Sequence, residues 1–390
     1  MEKTGRKILT LFFLILIFVI GAGTVYRSRS LARSFFDYKG FTALRSEIEE
    51  SITENFQFRY TWINLNGGFY RMTGMTLVPG TDGNYDVLKL TNGQIMYNKK
   101  KKDMSDYIDA VTKLRDQTEE MGIKFLYAQL PFKIKDDSVM PPGMHTGGNE
   151  NADEMAAGLK ENGVDVVDVR DNMDADKWEE YFFTTDHHWK PETGMNASGM
   201  IMDHLGKKYG YSVDKSHYDY DNYDKKTYTD YMLGAVGRRV GAWYAGLDDI
   251  DIIYPEFETD MEFTGESDSG TDVRKGEFAD AVYLWDNIKK RSDFVNNSYS
   301  TYIGKEYAVN ELTNKLNKDG PVILLVRDSF SCVIEPFIAL DASKVIAVDL
   351  RRYDKSISYA CEKYRPDVVL VAYNPSAFTD KQFKFFKKDN

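Results

Sequence analysis

The sequence predicts an α/β domain, a parallel sheet with helices on both faces, preceded by one N-terminal transmembrane helix. Three observations carry this expectation. Short continuous apolar runs recur at IKFLYAQL (123–130), VDVVDV (164–169), VILLV (322–326), KVIAVDL (344–350) and DVVLVAY (367–373). Helical periodicity lies between or beside them, at 104–121, 152–162, 191–208, 306–318, 331–341 and 356–364. Such alternation implies strands buried on both sides by crossover helices. Third, Ile8 to Val25 read ILTLFFLILIFVIGAGTV, roughly the run of about 20 residues that crosses a bilayer as a helix.

That first segment has a competing reading as a cleaved signal peptide. A signal's apolar part is usually shorter and ends in a small-residue cleavage site. Gly21-Ala22-Gly23-Thr24-Val25 makes a poor site, and no Cys follows for lipid attachment, so an uncleaved anchor is expected. Lys3, Arg6 and Lys7 precede the run while Arg27, Arg29 and Arg33 follow it, so flanking charge alone leaves the orientation open.

Beyond the anchor, the composition describes a soluble body. The chain has 390 residues, enough for a sizeable core, with 28% charged residues and a mean hydropathy of -0.47. A formal charge of -11 argues against nucleic acid, whose phosphates reward clustered Lys and Arg. Cys332 and Cys361 are the only cysteines, too few for a disulfide framework or a Cys-based zinc site, and two buried thiols are expected. The 26 Tyr and 23 Phe suit sugar stacking but equally suit a core.

Five stretches organise the chain: a stub and anchor (1–27), a juxtamembrane helical and β-turn region (28–100), a first part of the α/β domain (101–209), a Tyr/Asp-rich insertion over the site (210–305), and a second part (306–390). Within 28–60, Phe35, Phe36, Leu44 and Ile48 have helical spacing, and Asn92-Gly93 between apolar runs signals a β-turn. Segment 210–305 breaks the strand–helix alternation with SHYDYDNYDKKTYTDY and LGAVGRRVGAWYAG.

In parallel sheets, sites lie beyond the carboxyl ends of the strands, and three of those ends are loaded. VILLV runs into Arg327-Asp328-Ser329-Phe330-Ser331, where a serine can expose its hydroxyl at the positive end of a helix. On that motif alone, an ordinary helix N-cap is favoured. TTDHHWKPETG places Asp186, His187, His188 and Trp189 between a strand and a Pro-initiated helix. A serine needs a base and the base an orienting acceptor, which His188 and Asp186 can supply. A zinc site and a purely structural pair compete with this; no further His or Cys cluster supports the metal, and neither metal nor cofactor is expected. At the third end, Asn374 is a suitable oxyanion donor or a routine turn residue before Pro375.

Together these residues resemble the SGNH hydrolase superfamily, and more closely its branch containing the alginate O-acetyltransferase proteins AlgX and AlgJ and the DHHW-motif proteins. Asp186-His187-His188-Trp189 matches the D-x-H-W element and Arg327-Asp328-Ser329-Phe330 the nucleophile element, in that branch's permuted order. ENFQFRYTWINLNG, LTNGQIMY, LPFKIK, LGAVGRRVG and VDLRRY look like the same branch, over roughly residues 40–375. The resemblance implies an SGNH-like sheet with Ser329 as nucleophile, His188 as base and Asp186 as its orienter. Asn374 falls where the superfamily keeps its third-block Asn, although the usual G-x-N-D form is missing, and Ser329's own N–H is a substitute donor. His187, at the variable position, Lys133 of LPFKIK and Arg351 of VDLRRY join Asn374 as candidate oxyanion or substrate contacts.

The function so implied is serine-dependent O-acetyl transfer onto a cell-surface or exported polysaccharide. An outward-facing enzyme cannot draw on cytoplasmic acetyl-CoA directly, so an MBOAT-type membrane acyltransferase is the expected donor partner. The orientation that fits has the N-terminus in the cytoplasm and the catalytic body outside the cell membrane. Acetyl is expected rather than the D-alanyl group associated with the related anchored DltD proteins. An esterase or deacetylase with the same triad is the first alternative. A non-catalytic polysaccharide-binding or assembly component is the second, against which the complete Ser/His/Asp set counts.

Overall fold

The computed structural model describes every residue except 1, 31–40, 81–85, 268–269, 290, 292, 296, 305–306 and 388–390. Helix α1 (Glu2–Arg27) contains, at Thr4–Arg27, the one helical stretch among the described residues that is long and apolar enough to cross a membrane. Two helices follow, α2 (Phe41–Asn55) and α3 (Arg59–Met72). Leu44 and Ile48 are half-buried on α2, whereas Phe35 and Phe36 lie outside the described residues. Strands β1 (Leu77–Val78), β2 (Val87–Lys89) and β3 (Ile95–Tyr97) make a small antiparallel sheet. Gly93, at φ 89°, makes the turn between the last two, as Asn92-Gly93 predicts.

All five apolar runs are strands of one sheet. It is parallel from β5 (Val166–Asp168) through β4 (Lys124–Gln129), β13 (Val368–Tyr373) and β11 (Val322–Arg327) to β12 (Lys344–Val348). Alternate residues of each strand enter opposite cores. Ile323 and Leu325 of β11 share one core with Met195, Ile201 and Leu205 of α6 (Pro191–Tyr209). Leu324 and Val326 share the other core with Val111 and Leu114 of α4 (Ser105–Glu120), Leu159 of α5 (Gly148–Glu161), and Ile357 and Ala360 of α9 (Ile357–Tyr364). Each such fully buried aliphatic side chain contributes about 1.5–3 kcal/mol, which is why the strands read as unbroken apolar runs.

Two expectations change. Where a helix is expected at 306–318, the structure has β10 (Val309–Asn314), antiparallel to β12. Its period of two is hidden because two inward positions are polar: Asn310 accepts from Arg327 Nη2 at 3.2 Å and donates to Glu335, and Asn314 donates to the Ala339 and Leu340 carbonyls. The helix expected at 331–341 shrinks to a 3-10 turn, Ser329–Val333, and a single turn, Glu335–Ile338. The 210–305 segment adds β8 (Met261–Ser267) and β9 (Gly270–Gly276) to the sheet edge beyond β10, and pairs β6 (Tyr223–Met232) with β7 (Asp248–Pro255). Two short helices between those last strands, α7 (Gly237–Val240) and α8 (Ala242–Ala245), pack on α3. Both cysteines are free, Cys361 buried on α9 and Cys332 half-buried.

Candidate active site

Strand β11 carries Ser329 two residues past its carboxyl end, so the Arg327–Phe330 motif sits at the sheet edge the parallel topology favours. Asp328 caps the turn that follows, its Oδ1 accepting the Phe330 N–H at 2.8 Å. The N-cap role suggested for this motif therefore falls to Asp328, and the Ser329 hydroxyl is left for other use. Asp328 Oδ2 also accepts the Asn374 N–H at 2.7 Å, tying the ends of β11 and β13 together. Burial pushes the Asp328 carboxyl up to about 6, against the pull of those two N–H groups. Ser329 is half-exposed, whereas Ser331 is completely buried.

The second motif arrives on a loop rather than a strand. Asp186 to Trp189 lie between the 3-10 turns of Ala175–Tyr181 and α6, steadied by an isolated bridge between Phe182 and Trp189. Pro191 opens α6, where its missing N–H costs nothing. Trp189 is fully buried and donates its indole N–H to the Phe330 carbonyl at 3.0 Å, which joins the two motifs directly.

The result is a continuous chain of three side chains. His188 Nδ1 lies 2.7 Å from Asp186 Oδ1, and His188 Nε2 lies 2.7 Å from Ser329 Oγ. A buried carboxylate accepts, so Nδ1 carries the proton and Nε2 is the lone pair facing the serine hydroxyl. Burial alone would raise the Asp186 carboxyl. The hydrogen bonds from His188 beside it and from the N–H of Ala235, at 2.6 Å from Oδ2, hold it well below the usual carboxylate range.

Much of the holding comes from residues that no catalytic motif marked. The Gly234 N–H donates to Thr185 Oγ1 at 2.8 Å, and a Cβ on Gly234 would stand 2.4 Å from Asp186 Cβ. Asp248 accepts the N–H groups of Thr184 and Thr185 at 2.6 and 2.7 Å. Tyr299 stacks on the His188 ring, with centroids 4.1 Å apart and planes 14° apart, and donates to the Ser329 and Phe330 carbonyls. The LGAVGRRVG stretch was a sequence signal for Gly234 and Ala235. Tyr299 had none beyond the tyrosine content of its segment.

The weaker candidates divide. Lys133 is buried and its Nζ donates to the carbonyls of Ile95, Thr184 and Asp186 at 2.8, 3.1 and 2.7 Å, so it braces the Asp186 loop rather than meeting a substrate. Burial pushes that ammonium down to about 7. Asn374 is likewise committed to backbone, its Nδ2 donating to the Pro131 carbonyl and its Oδ1 accepting the Ser376 N–H. Its side chain thus organises the strand end instead of facing an oxyanion. Arg351 pairs with buried Asp349, with Nη2 2.5 Å from Oδ2, and remains partly exposed at the end of β12.

His187 packs against His188 with ring centroids 3.9 Å apart, and its Nδ1 stands 3.2 Å from Asp186 Oδ1, outside hydrogen-bonding geometry. Burial, then the neighbouring His188, pushes His187 down to about 3, so it is neutral near pH 7. Below its ordinary value of 6.5 the unfolded residue gains a proton that the folded one refuses until about 3. Stability should therefore fall as pH drops through that window. His187→Gln should flatten the acid limb of a denaturation profile between those pH values; an unchanged limb would show that His187 is solvated.

Asp186, His187 and His188 also form the one group among the described residues whose metal-ligating atoms converge, within 4.8 Å. The donor set fits poorly: His188 Nδ1 and Asp186 Oδ1 already face each other at 2.7 Å, and Asp186 Oδ2 takes the Ala235 N–H.

Residues 90–250 match the family model described as "SGNH hydrolase-like domain, acetyltransferase AlgX". The matched stretch contains Asp186, His188 and Gly234 and ends before Ser329. By sequence, no curated protein matches the chain. By fold, it is similar to PatB1 of Bacillus cereus at 20% identity and a TM-score of 0.65, covering 77% of this chain and 100% of that one. PatB1 has also been solved with a sulfonyl adduct, with a TM-score of 0.64 at 20% identity over 78% of this chain and 98% of that one. A DHHW family protein from Eubacterium siraeum is similar at 16% identity and a TM-score of 0.58, over 81% of this chain and 100% of that one. Residues 90–250 are thus similar to an SGNH hydrolase-like domain, and the mostly parallel α/β fold is similar to those of PatB1 and the DHHW protein.

Proposed function

We propose that this protein is a membrane-anchored, serine-dependent O-acyltransferase that moves acetyl groups through an acyl-serine onto hydroxyls of a cell-surface or exported polysaccharide. The observation that carries the reading is the unbroken Asp186–His188–Ser329 chain, with both links at 2.7 Å. Ser329 Oγ attacks the acyl carbon of the donor while its proton passes to His188 Nε2. The donor's leaving group takes that proton as its bond to the acyl carbon breaks. A sugar hydroxyl then attacks the acyl-serine, giving its proton to His188, and the proton returns to Ser329 Oγ as the ester opens. Asp186 stabilises the imidazolium in both halves. We assign the oxyanion to the Ser329 N–H at the start of its helical turn.

The family's description as acetyltransferase supports acetyl as the group transferred. With the catalytic body outside the cytoplasm, an MBOAT-type membrane acyltransferase supplies the acyl group, and α1 keeps the enzyme beside it. The test is intact-mass and peptide mass spectrometry of the full-length protein after incubation with an activated acetyl ester. One acetyl group on Ser329, discharged by an added oligosaccharide faster than by water, is the expected result. Discharge to water alone would make the protein an esterase, and acetyl on Ser331 would move the nucleophile. Because PatB1 takes a sulfonyl adduct, a sulfonyl fluoride is the companion probe and should label wild type but not Ser329→Ala.

A further inference from the structure

Helix α3 is amphipathic in an unusual sense, because its apolar stripe faces outward. Trp62, Leu65, Phe69 and Met72 follow one another at spacings of three and four and so share one face, and Phe58 immediately precedes the helix in left-handed backbone, φ 63°. They are 38%, 44%, 54%, 78% and 49% exposed, respectively, and Trp243 on α8 continues the patch at 53%. The opposite face is the one that packs. Asn64 Oδ1 accepts the Ala242 N–H at 2.8 Å, and a Cβ on Gly67 would stand 2.1 Å from the Val240 carbonyl. Tyr60 stacks on Phe294 with centroids 4.6 Å apart. The orientation of α3 is therefore set by its inner face, and the outer stripe is not core turned out by chance.

The beginning of this helix touches the end of the candidate span. The Gln57 N–H donates to Thr24 Oγ1 at 3.0 Å, and a Cβ on Gly23 would meet the Gln57 side chain at 2.8 Å. Thr24 lies three residues before the last residue of the Thr4–Arg27 stretch, roughly 5 Å along a helix rising about 1.5 Å per residue. With α1 spanning a bilayer, the stripe would start near the boundary where headgroups meet acyl chains. Its aromatic and long apolar side chains, flanked by Arg59 and Arg71, are of the kind that settles at that boundary. An exposed apolar patch of this extent requires an occupant.

We propose that the outer stripe of α3, with Trp243, lies in the headgroup–acyl boundary of the bilayer that α1 crosses. The body is then held on the membrane at two places rather than tethered by one helix. This rests on α1 remaining in the bilayer and is independent of the acyl-transfer reading. One backbone hydrogen bond links this region to the Asp186 loop. Helix α7, on which α3 rests, begins at Gly237, whose N–H donates to the Thr185 carbonyl at 2.8 Å, next to Asp186.

The full-length chain carrying Cys332→Ala and Cys361→Ala, with one new cysteine, tests the proposal. Phe69→Cys or Met72→Cys, labelled with an environment-sensitive fluorophore, should be quenched by shallow nitroxide lipids in vesicles of phosphatidylethanolamine and phosphatidylglycerol. The same label at Lys226→Cys, exposed on β6, should answer only to aqueous iodide. Adding Leu65→Asp and Phe69→Asp to the Met72→Cys chain should abolish lipid quenching and leave the melting curve unchanged. Equal access of iodide to positions 69, 72 and 226, in vesicles that retain the protein at alkaline pH, would overturn the proposal. So would release of the protein by the alkaline wash, which removes its premise. Shielding that appears only after native membrane proteins are added would give the stripe to a protein partner instead.

Discussion

Ser329→Ala and His188→Ala should each cut acyl transfer to near the background rate, and the double variant should be little worse than either alone. General-base assistance alone supplies about 10²–10⁴-fold. His188 has one lone pair for that work, on the Nε2 that lies 2.7 Å from Ser329 Oγ, and losing either partner idles the other. Groups that act as a unit give grossly non-additive losses. Turnover and donor binding should be measured on all three variants and compared with Ser331→Ala. The buried Ser331 hydroxyl takes no part in the chain, so that variant should keep its acyl-transfer chemistry. Multiplicative losses in the double variant would mean that Ser329 and His188 act in separate steps.

The second large effect is expected from a residue with no reactive group. Gly234→Ala places a methyl group 2.4 Å from Asp186 Cβ and 2.6 Å from its Cα and N, atoms of or next to the backbone that cannot swing aside. The 234–235 turn must back away, and the Ala235 N–H leaves Asp186 Oδ2. Overpacking of this kind costs about 1–3 kcal/mol of stability. The effect on activity should be larger in proportion, because a displacement of roughly 1 Å in a catalytic constellation can cost about 10²-fold. The loss should fall on kcat rather than KM, and Asp186→Asn should give the same pattern, since an amide orients the imidazole in the wrong tautomer. A Gly234→Ala enzyme with wild-type kcat and melting temperature would show that the turn is not the clamp on Asp186.

Much of this was legible before the fold was known. The five strand runs are apolar on both faces because both faces of a parallel sheet are covered, so burial wrote them into the sequence without alternation. Asp186, His188 and Ser329 were readable because a nucleophile, a base and an orienter form a recognisable set, and the resemblance placed them in order. Strand β10 was not readable, because Asn310 and Asn314 occupy inward positions where an apolar pattern would have revealed it. Asn310 joins a buried cluster with Arg327 and Glu335, and Asn314 donates to the Ala339 and Leu340 carbonyls, partners that only the tertiary fold brings together.

By itself, then, the sequence determined the parallel α/β sheet, the apolar N-terminal helix, and the three residue types needed for acyl transfer. Tertiary structure decided how those residues are held. Lys133 and Asn374 carry groups that would serve a substrate well, yet their donors are taken by carbonyls that lie far away in sequence, at Ile95, Thr184 and Asp186 and at Pro131. Tyr299 has no motif, yet it lies flat against His188. A side chain's chemistry is local and can be read residue by residue. Whether that chemistry faces a substrate or satisfies a buried backbone group depends on which distant segments the fold brings within about 3 Å.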